Sequence, residues 1–493
     1  MNPPAERNSR VPVLRRLCPR KLQGGHDRVR LSAGRSEVAS IRNGGDVLKR
    51  TLILACGVLI SGCASAPQPW NRSAPARAES QVAESPVKVD LSDGLDLEEA
   101  IALALEKNPG FQASRLGTDL SRAERVIAAT YPYNPEFGIE ASRATPFGKT
   151  GDSVVKLSLS QTFETGGKRG YRIAAAEAGI EQSVASLADD RRLLRARVTA
   201  QFYELLFLVQ REAIATQSLE LAGRLLEVVE ARFNAKQIPE IEVNILRLDH
   251  GRAMAEKEKA ARETLVARAN LAASIGQPDR LDFQLKGELG AVIVIPDRDR
   301  LQRTAQEKRP DLRAAQARLR ALEEKLRLAN VLASPDVTVG LFAARETAVI
   351  DSPDGVLIDP DKILGVNLSI PIPFVNTRRG ERLEAELERR RALLDVETVS
   401  QEIRRDVETA VSRIESARTV VESYEKDLNT LAQRNLDDTL RAYQAGEVGT
   451  LQTLRAQEDL NRAKTAYLEA QFALRLALAE IEAAMDTRLS DVK

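Results

Sequence analysis

The 493-residue chain is nearly neutral, +1 at pH 7, with 29% charged and only 4% aromatic residues, a balance that suits long exposed helices with narrow apolar seams rather than several large globular cores. Its basic residues are interspersed with acidic ones, so no basic face for nucleic acid stands out. Cys18, Cys56 and Cys63 all precede residue 64, and the only histidines are His26 and His250, which excludes a disulfide framework, a thiolate metal site and a histidine-based catalytic centre from the body of the chain.

Residues 1–46 are rich in Arg, Gly and Ser without apolar period, and they are expected to lie outside the folded protein, upstream of a translation start at Val47 or Leu48. Val47–Cys63 follows with two cations, an apolar run from Leu52 to Ile60 and small residues before Cys63, which is the pattern of a bacterial export signal. Its ending, Ile60-Ser61-Gly62-Cys63, resembles a lipobox. Residues 1–62 are therefore expected to be an untranslated leader plus lipoprotein signal peptide, with Cys63 the lipidated first residue; Ala64, rather than Asp, after that cysteine points to the outer membrane by resemblance to bacterial lipoproteins. Residues 63–94, with much Pro, Ala and Ser, are expected to form a flexible tether.

Ordered structure is expected from Leu95. Asp96 suits an N-cap of a short helix through Glu106, and Pro109 opens a second helix to about Tyr131. The period then changes to two in Phe137–Ala141 and Val155–Phe163, which predicts strands joined by a turn at Pro146–Asp152, so that residues 134–163 form a hairpin. Gly166-Gly167 ends the second strand and releases a long helix from Lys168 to about Lys236, and a return helix runs from Glu240 to Ile275. Residues 95–275 are thus a first unit and 276–297 a connector.

Residues 298–487 repeat it. Glu307-Lys-Arg-Pro-Asp-Leu312 echoes Glu106-Lys-Asn-Pro-Gly-Phe111, and Ala253, Ala260 and Ala267 fall 210 positions before Ala463, Ala470 and Ala477. A second hairpin, residues 335–374, is predicted to pair Val337–Leu341 with Leu364–Phe374 across a polar loop, with Pro371 and Pro373 weakening the strand end. Two long helices close the chain: an arm with a seam of Ile403, Val407, Val411, Ile414, Val421, Tyr424, Leu428 and Leu431, and a return arm with an alanine-rich heptad seam from Ala456 to Ala484. The turn between them lies at Gly446–Thr450, with Gly449 expected at positive φ, so that Gly449→Val is expected to strain it.

Four strands can cross a bilayer but cannot close a barrel, and open edges are not tolerated in hydrocarbon, so several copies would share one barrel. Parity places Leu157, Leu159, Val339, Val366 and Leu368 toward lipid, and Lys156, Ser158, Asn367 and Ser369 toward a lumen. The export signal with its lipid-type cysteine, the twofold repeat, the strand ending Leu368-Ser-Ile-Pro-Ile-Pro-Phe-Val-Asn-Thr-Arg-Arg-Gly380 and the turn Gly446-Glu-Val-Gly-Thr450 together resemble the TolC-like outer-membrane efflux proteins, cobalt-zinc-cadmium resistance branch. That resemblance implies a mostly α fold with a membrane β-barrel portion: a homotrimer with a shared twelve-stranded barrel in outer-membrane lipid and a periplasmic α-barrel. It also implies a periplasmic adaptor and an inner-membrane resistance-nodulation-division pump as partners, with no catalytic residue, cofactor or metal site. The docking tip is expected at Ile238, Pro239, Gly446, Val448, Gly449 and Thr450. Glu240, Glu242, Arg455, Glu458 and Asp459 are candidate pore-lining residues, and for the acidic ones a solvated helix face is an equally open reading. Two alternatives remain: a multidrug or secretion duct of the same fold, and a lipid-anchored periplasmic coiled-coil scaffold.

Overall fold

The computed structural model describes residues 94–144, 151–290, 296–352 and 355–491. The export signal, Cys63, the tether and most of the turn at Pro146–Asp152 lie outside the described residues.

Helix α1, Leu97–Lys107, is fixed at its start by a capping box in which Glu99 N donates to Asp96 Oδ1 at 2.8 Å and Asp96 N donates to Glu99 Oε2 at 3.0 Å. Helix α2, Pro109–Ala129, starts on proline with Asn108 as its cap. After strands β1, Glu136–Arg143, and β2, Ser153–Phe163, the chain enters α3, Lys168–Asn234, and returns along α4, Glu240–Ser274. At 67 residues, α3 is about 100 Å long. The second unit follows the same order: α5, Arg298–Lys308; α6, Pro310–Val331; β3, Val337–Ser352; β4, Gly355–Ser369; then α7, Arg379–Ser423, a π-helical turn at Tyr424–Leu428, α8, Asn429–Ala445, and the return helix α9, Thr450–Met485.

The duplication is visible in the packing. Ala260 and Ala267 on α4 are buried like their counterparts Ala470 and Ala477 on α9, and Ala253 and Ala463 are both half-buried. One core joins α1 to the middle of α3 and the end of α4 through Phe202, Leu205, Leu271 and Ile275. The connector is part of it: Phe283 and Leu289 are buried, and Leu95 bridges Leu285. Arg475 of α9 stacks on the Tyr203 ring and donates to the carbonyls of Glu288, Leu289 and Gly290, buckling the connector onto the bundle. A second core unites α5, α7 and α9 through Leu301, Ile403, Val407, Ile414, Leu474 and Ile481.

Three expectations are corrected. The second hairpin is longer than its alternating core: β3 continues to Ser352 and β4 begins at Gly355, so the stretch taken for a polar loop is strand. At its other end β4 stops at Ser369 rather than Phe374, because Pro371 and Pro373 have no N–H to give to a ladder. The arm leading to the last turn is interrupted at Tyr424–Leu428, and beyond Val421 its expected seam does not hold: Leu428 and Leu431 are exposed.

Candidate functional site

Helices α3 and α7 each start just after a strand and run on to a turn, which places the four-stranded sheet and the two helical turns at opposite ends of the long helices. The sheet is antiparallel in the order β1-β2-β3-β4, so β2 and β3 join the two units edge to edge. Its register aligns Phe137 with Leu159, Leu159 with Leu341 and Leu341 with Val366; it also pairs Ile139 with Leu157 and Val339 with Leu368. Directly paired residues share a face, so these apolar side chains form one surface, while Lys156, Ser158, Thr338, Gly340, Asn367 and Ser369 fall on the other. Phe342 is the aromatic exception on the polar side. It lies across Gly365, where a Cβ would collide with its ring, and the Lys156 ammonium sits 5.0 Å from the ring centre.

Sheet and helices are joined by a buried ion pair. Lys168, the first residue of α3, donates to Asp336 Oδ1 at 2.6 Å and to the Ser334 carbonyl at 2.8 Å. Thr165 N donates to the same carboxylate, and Tyr133 OH donates to its Oδ2 at 2.9 Å. A residue of the first unit thus fixes the start of the second unit's hairpin. No local signal in the sequence marks this pair, whose members are 168 positions apart.

At the opposite end the two turns converge. Leu225 and Val229 of α3, Val243 and Leu246 of α4, Tyr443 of α8 and Leu454 of α9 form one buried cluster, with Ile238 and Val448 packed against it. The turns are built alike. Gly446 has φ +77° and Lys236 has φ +57°; after each, the next N–H reaches back five residues, Glu447 N to Ala442 O and Gln237 N to Arg232 O, which is the Schellman closure. Gly449, expected at positive φ, instead has φ −92° and ψ 168°, an extended N-cap like its counterpart Pro239 at φ −78°. Position 446, like Lys236 in the sister turn, is the one held in the left-handed region that favours glycine.

Thr450 is buried, and its hydroxyl donates to Glu242 Oε2 at 2.7 Å, tying the start of α9 to the first turn of α4. Arg232 covers the Tyr443 ring at 4.8 Å. Glu240, Arg455, Glu458 and Asp459 are exposed, with Arg462 within 4.0 Å of Glu458 and 3.9 Å of Asp459. Asp249 of α4, the counterpart of Asp459, joins this group. Burial, and after it the Glu458 carboxylate, push its carboxyl above the usual range against the pull of Arg252 and His250. Among the described residues no cluster of three or more His, Cys, Asp and Glu side chains is arranged to hold a metal, and no helix is long and apolar enough to cross a membrane.

The chain is 25% identical over 376 residues to the cobalt-zinc-cadmium resistance protein CzcC of Cupriavidus metallidurans, covering 76% of this chain and 86% of that protein. It is 27% identical over 390 residues to protein CyaE of Bordetella pertussis, covering 76% and 80% of the two. Its fold matches the crystal structure of the outer membrane protein VceC of Vibrio cholerae with a TM-score of 0.65 at 17% identity, over 80% of this chain and 96% of that one. The family model for outer membrane efflux proteins matches residues 100–277 and 301–487, the two units in turn. Matched by that model in both halves of its duplicated bundle, the chain belongs to the outer membrane efflux protein family and is an efflux channel, not an enzyme.

Proposed function

We propose that the protein is the outer-membrane duct of a tripartite resistance-nodulation-division system that exports heavy-metal cations, working as a homotrimer that receives its cargo from a periplasmic adaptor and an inner-membrane pump. The observation that carries the duct is the sheet with one apolar and one polar face and two open edges, β1 and β4. An open edge in hydrocarbon leaves several kcal/mol per unpaired backbone group unmet, so β1 of one copy must meet β4 of the next. The flanking helices support the same closure. On α2, Leu116, Leu120 and Ile127 are exposed, and on α7 Leu383, Leu387 and Leu394 are exposed with the same spacing, so each copy offers an apolar stripe beside each sheet edge. Three copies of four strands give twelve, and the polar faces then line a lumen.

The Ile238–Pro239 and Gly446–Thr450 turns, furthest from the sheet, are the surface that meets the adaptor, and exposed Glu240, Arg455, Glu458 and Asp459 form the charged rim behind them. Cys63 carries the lipid anchor; the intact mass of the mature protein reads this directly, as a species starting at Cys63 with an acyl increment. Metal cargo is supported by likeness to CzcC, whose name records cobalt, zinc and cadmium resistance. Deleting the gene should sensitise the host to those three ions, and complementation should restore growth. A strain that keeps full metal resistance but becomes sensitive to organic toxicants would overturn the cargo while leaving the duct.

A further inference from the structure

The arm that descends to the tip is unbroken in the first unit and broken in the second. Buried residues align the two arms: Leu194, Val198, Phe202, Leu205 and Leu208 on α3 lie 209 positions before Ile403, Val407, Val411, Ile414 and Ala417 on α7, and all ten are buried. At the tip the offset is 210, because Lys236 corresponds to Gly446 and Pro239 to Gly449. Between these points the second arm holds one residue more than its sister, and that is where the five-residue π-turn Tyr424–Leu428 lies.

An extra residue in a continuous α-helix turns everything beyond it by about 100°, whereas a π-turn absorbs it locally. Continued without interruption, the seam that reaches Val421 would bring Leu428 and Leu431, and then Asn435 and Asp438, against the bundle. With the π-turn in place, Leu436 and Tyr443 are buried instead and Ala432 and Leu440 are half-buried. Leu428 is left 43% and Leu431 63% exposed. Beside them a groove of about 550 Å3 runs between α8 and α9, its walls including Tyr424, Leu428, Leu431, Ala432, Ala463 and Ala466. Two apolar seams compete on one arm, and the unused one faces a groove with room for it.

We propose that the π-turn Tyr424–Leu428 is a register switch for the tip. In the packed register Leu436 and Tyr443 hold α8 in the tip cluster. When the turn tightens to α geometry, Leu428 and Leu431 enter the groove, α8 rotates by about 100°, Asn435 and Ala442 take the places of Leu436 and Tyr443, and Gly446–Thr450 leaves the cluster. The exchange places one apolar pair in the groove as another leaves the core, and turning Asn435 and Asp438 inward makes the second register the less stable of the two. This rests on the reading of the helical turns as the end that meets the adaptor, and adds that the same end opens.

Deleting Asp427 gives the stretch between the aligned core and the tip its sister's length and removes the second register. The expected product is a trimer that assembles normally in detergent but whose openings in planar bilayers are about tenfold rarer. Leu428→Asn with Leu431→Asn changes only side chains exposed in the packed register, so the melting temperature should hold while openings again become rarer. Leu431→Cys reads the register itself, since residues 64–493 contain no cysteine: a maleimide should label it in the closed channel and more slowly under a voltage that favours opening. Wild-type gating of both the deletion and the double variant would overturn the switch. So would a thiol at position 431 already shielded in the closed trimer, which would assign Leu431 to a contact between copies. If Gly446→Val leaves gating untouched, the tip reading fails separately, and voltage-dependent labelling still decides whether the register changes.

Discussion

Valine at Gly446 and valine at Gly449, three residues apart in one turn, should behave differently, and the difference is calculable. At Gly446, φ is +77° and no atom lies within 4 Å of the position a Cβ would take, so there is no clash and the effect is backbone strain alone. Holding an ordinary L-residue in the left-handed region costs about 1–2 kcal/mol, and a β-branched one belongs at or above the upper end. At Gly449, φ −92° and ψ 168° are ordinary for valine. A Cβ there comes within 3.1 Å of Gln452 Oε1, which can swing away at the loss of one exposed hydrogen bond, about 0.5–1.5 kcal/mol. Gly446→Val should therefore be the more damaging, releasing Val448 from the tip cluster while the cores near the sheet stay intact. Thermal melting of both purified variants, together with crosslinking of each to the adaptor in cells, measures this. Should Gly449→Val lose more stability or more crosslinking than Gly446→Val, the conformational argument is wrong.

Lys168→Met leaves the Asp336 carboxylate without its cation in a site where the two side chains are only 6% and 16% exposed, so unfolding in guanidinium should show a loss of about 3–5 kcal/mol; adding Asp336→Leu should recover part of it. Leu159→Arg, in the middle of the apolar face, should lower stability in lipid by about 2–4 kcal/mol, while Ser158→Arg on the opposite face should change little; equal effects would refute the face assignment. Asp249→Asn should raise the melting temperature at pH 7. Burial and Glu458 raise the folded-state pKa, so the native state binds the proton more tightly than the unfolded chain and stability falls as pH rises through that pKa. The gain from Asn should shrink as the pH drops toward about 4, the unfolded carboxylate value.

The elements that repeat a period over many residues were legible in the sequence, both long hairpins and the alternating strand centres, and so was the N-cap at Asp96; its reciprocal bond to Glu99 was not. The strand ends were not, because Asp351, Asp359 and Asp361 resemble loop residues until a paired neighbour supplies their ladder partners. The Lys168–Asp336 pair was invisible for the same reason, as nothing local marks a buried lysine 168 residues from its partner. Gly449 is different. The offset of 210 already placed it opposite Pro239, whose ring holds φ near −65°, so its negative φ followed from the repeat. Glycine at a turn suggested freedom, and the proline in the other copy showed that none was needed.

The duplication also shows where such a chain tolerates a change of length. The hairpins differ freely, with strands of 8 and 11 residues in the first copy against 16 and 15 in the second, because a strand pair can lengthen by whole rungs without moving the faces of those already formed. Long helices have no such freedom, since each added residue turns the apolar stripe by about 100°, and the return helices keep one offset from Ala253 and Ala463 to Ala267 and Ala477. Between the aligned core and the tip the exception is the residue held in the π-turn, and it is kept by leaving two leucines out of the core. Burial of the exposed Leu428 and Leu431 offsets part of the cost of undoing the shift, and the π-turn lies between the anchored core at Ile414 and the tip at Val448, where a rotation reaches the end of the channel without disturbing the sheet.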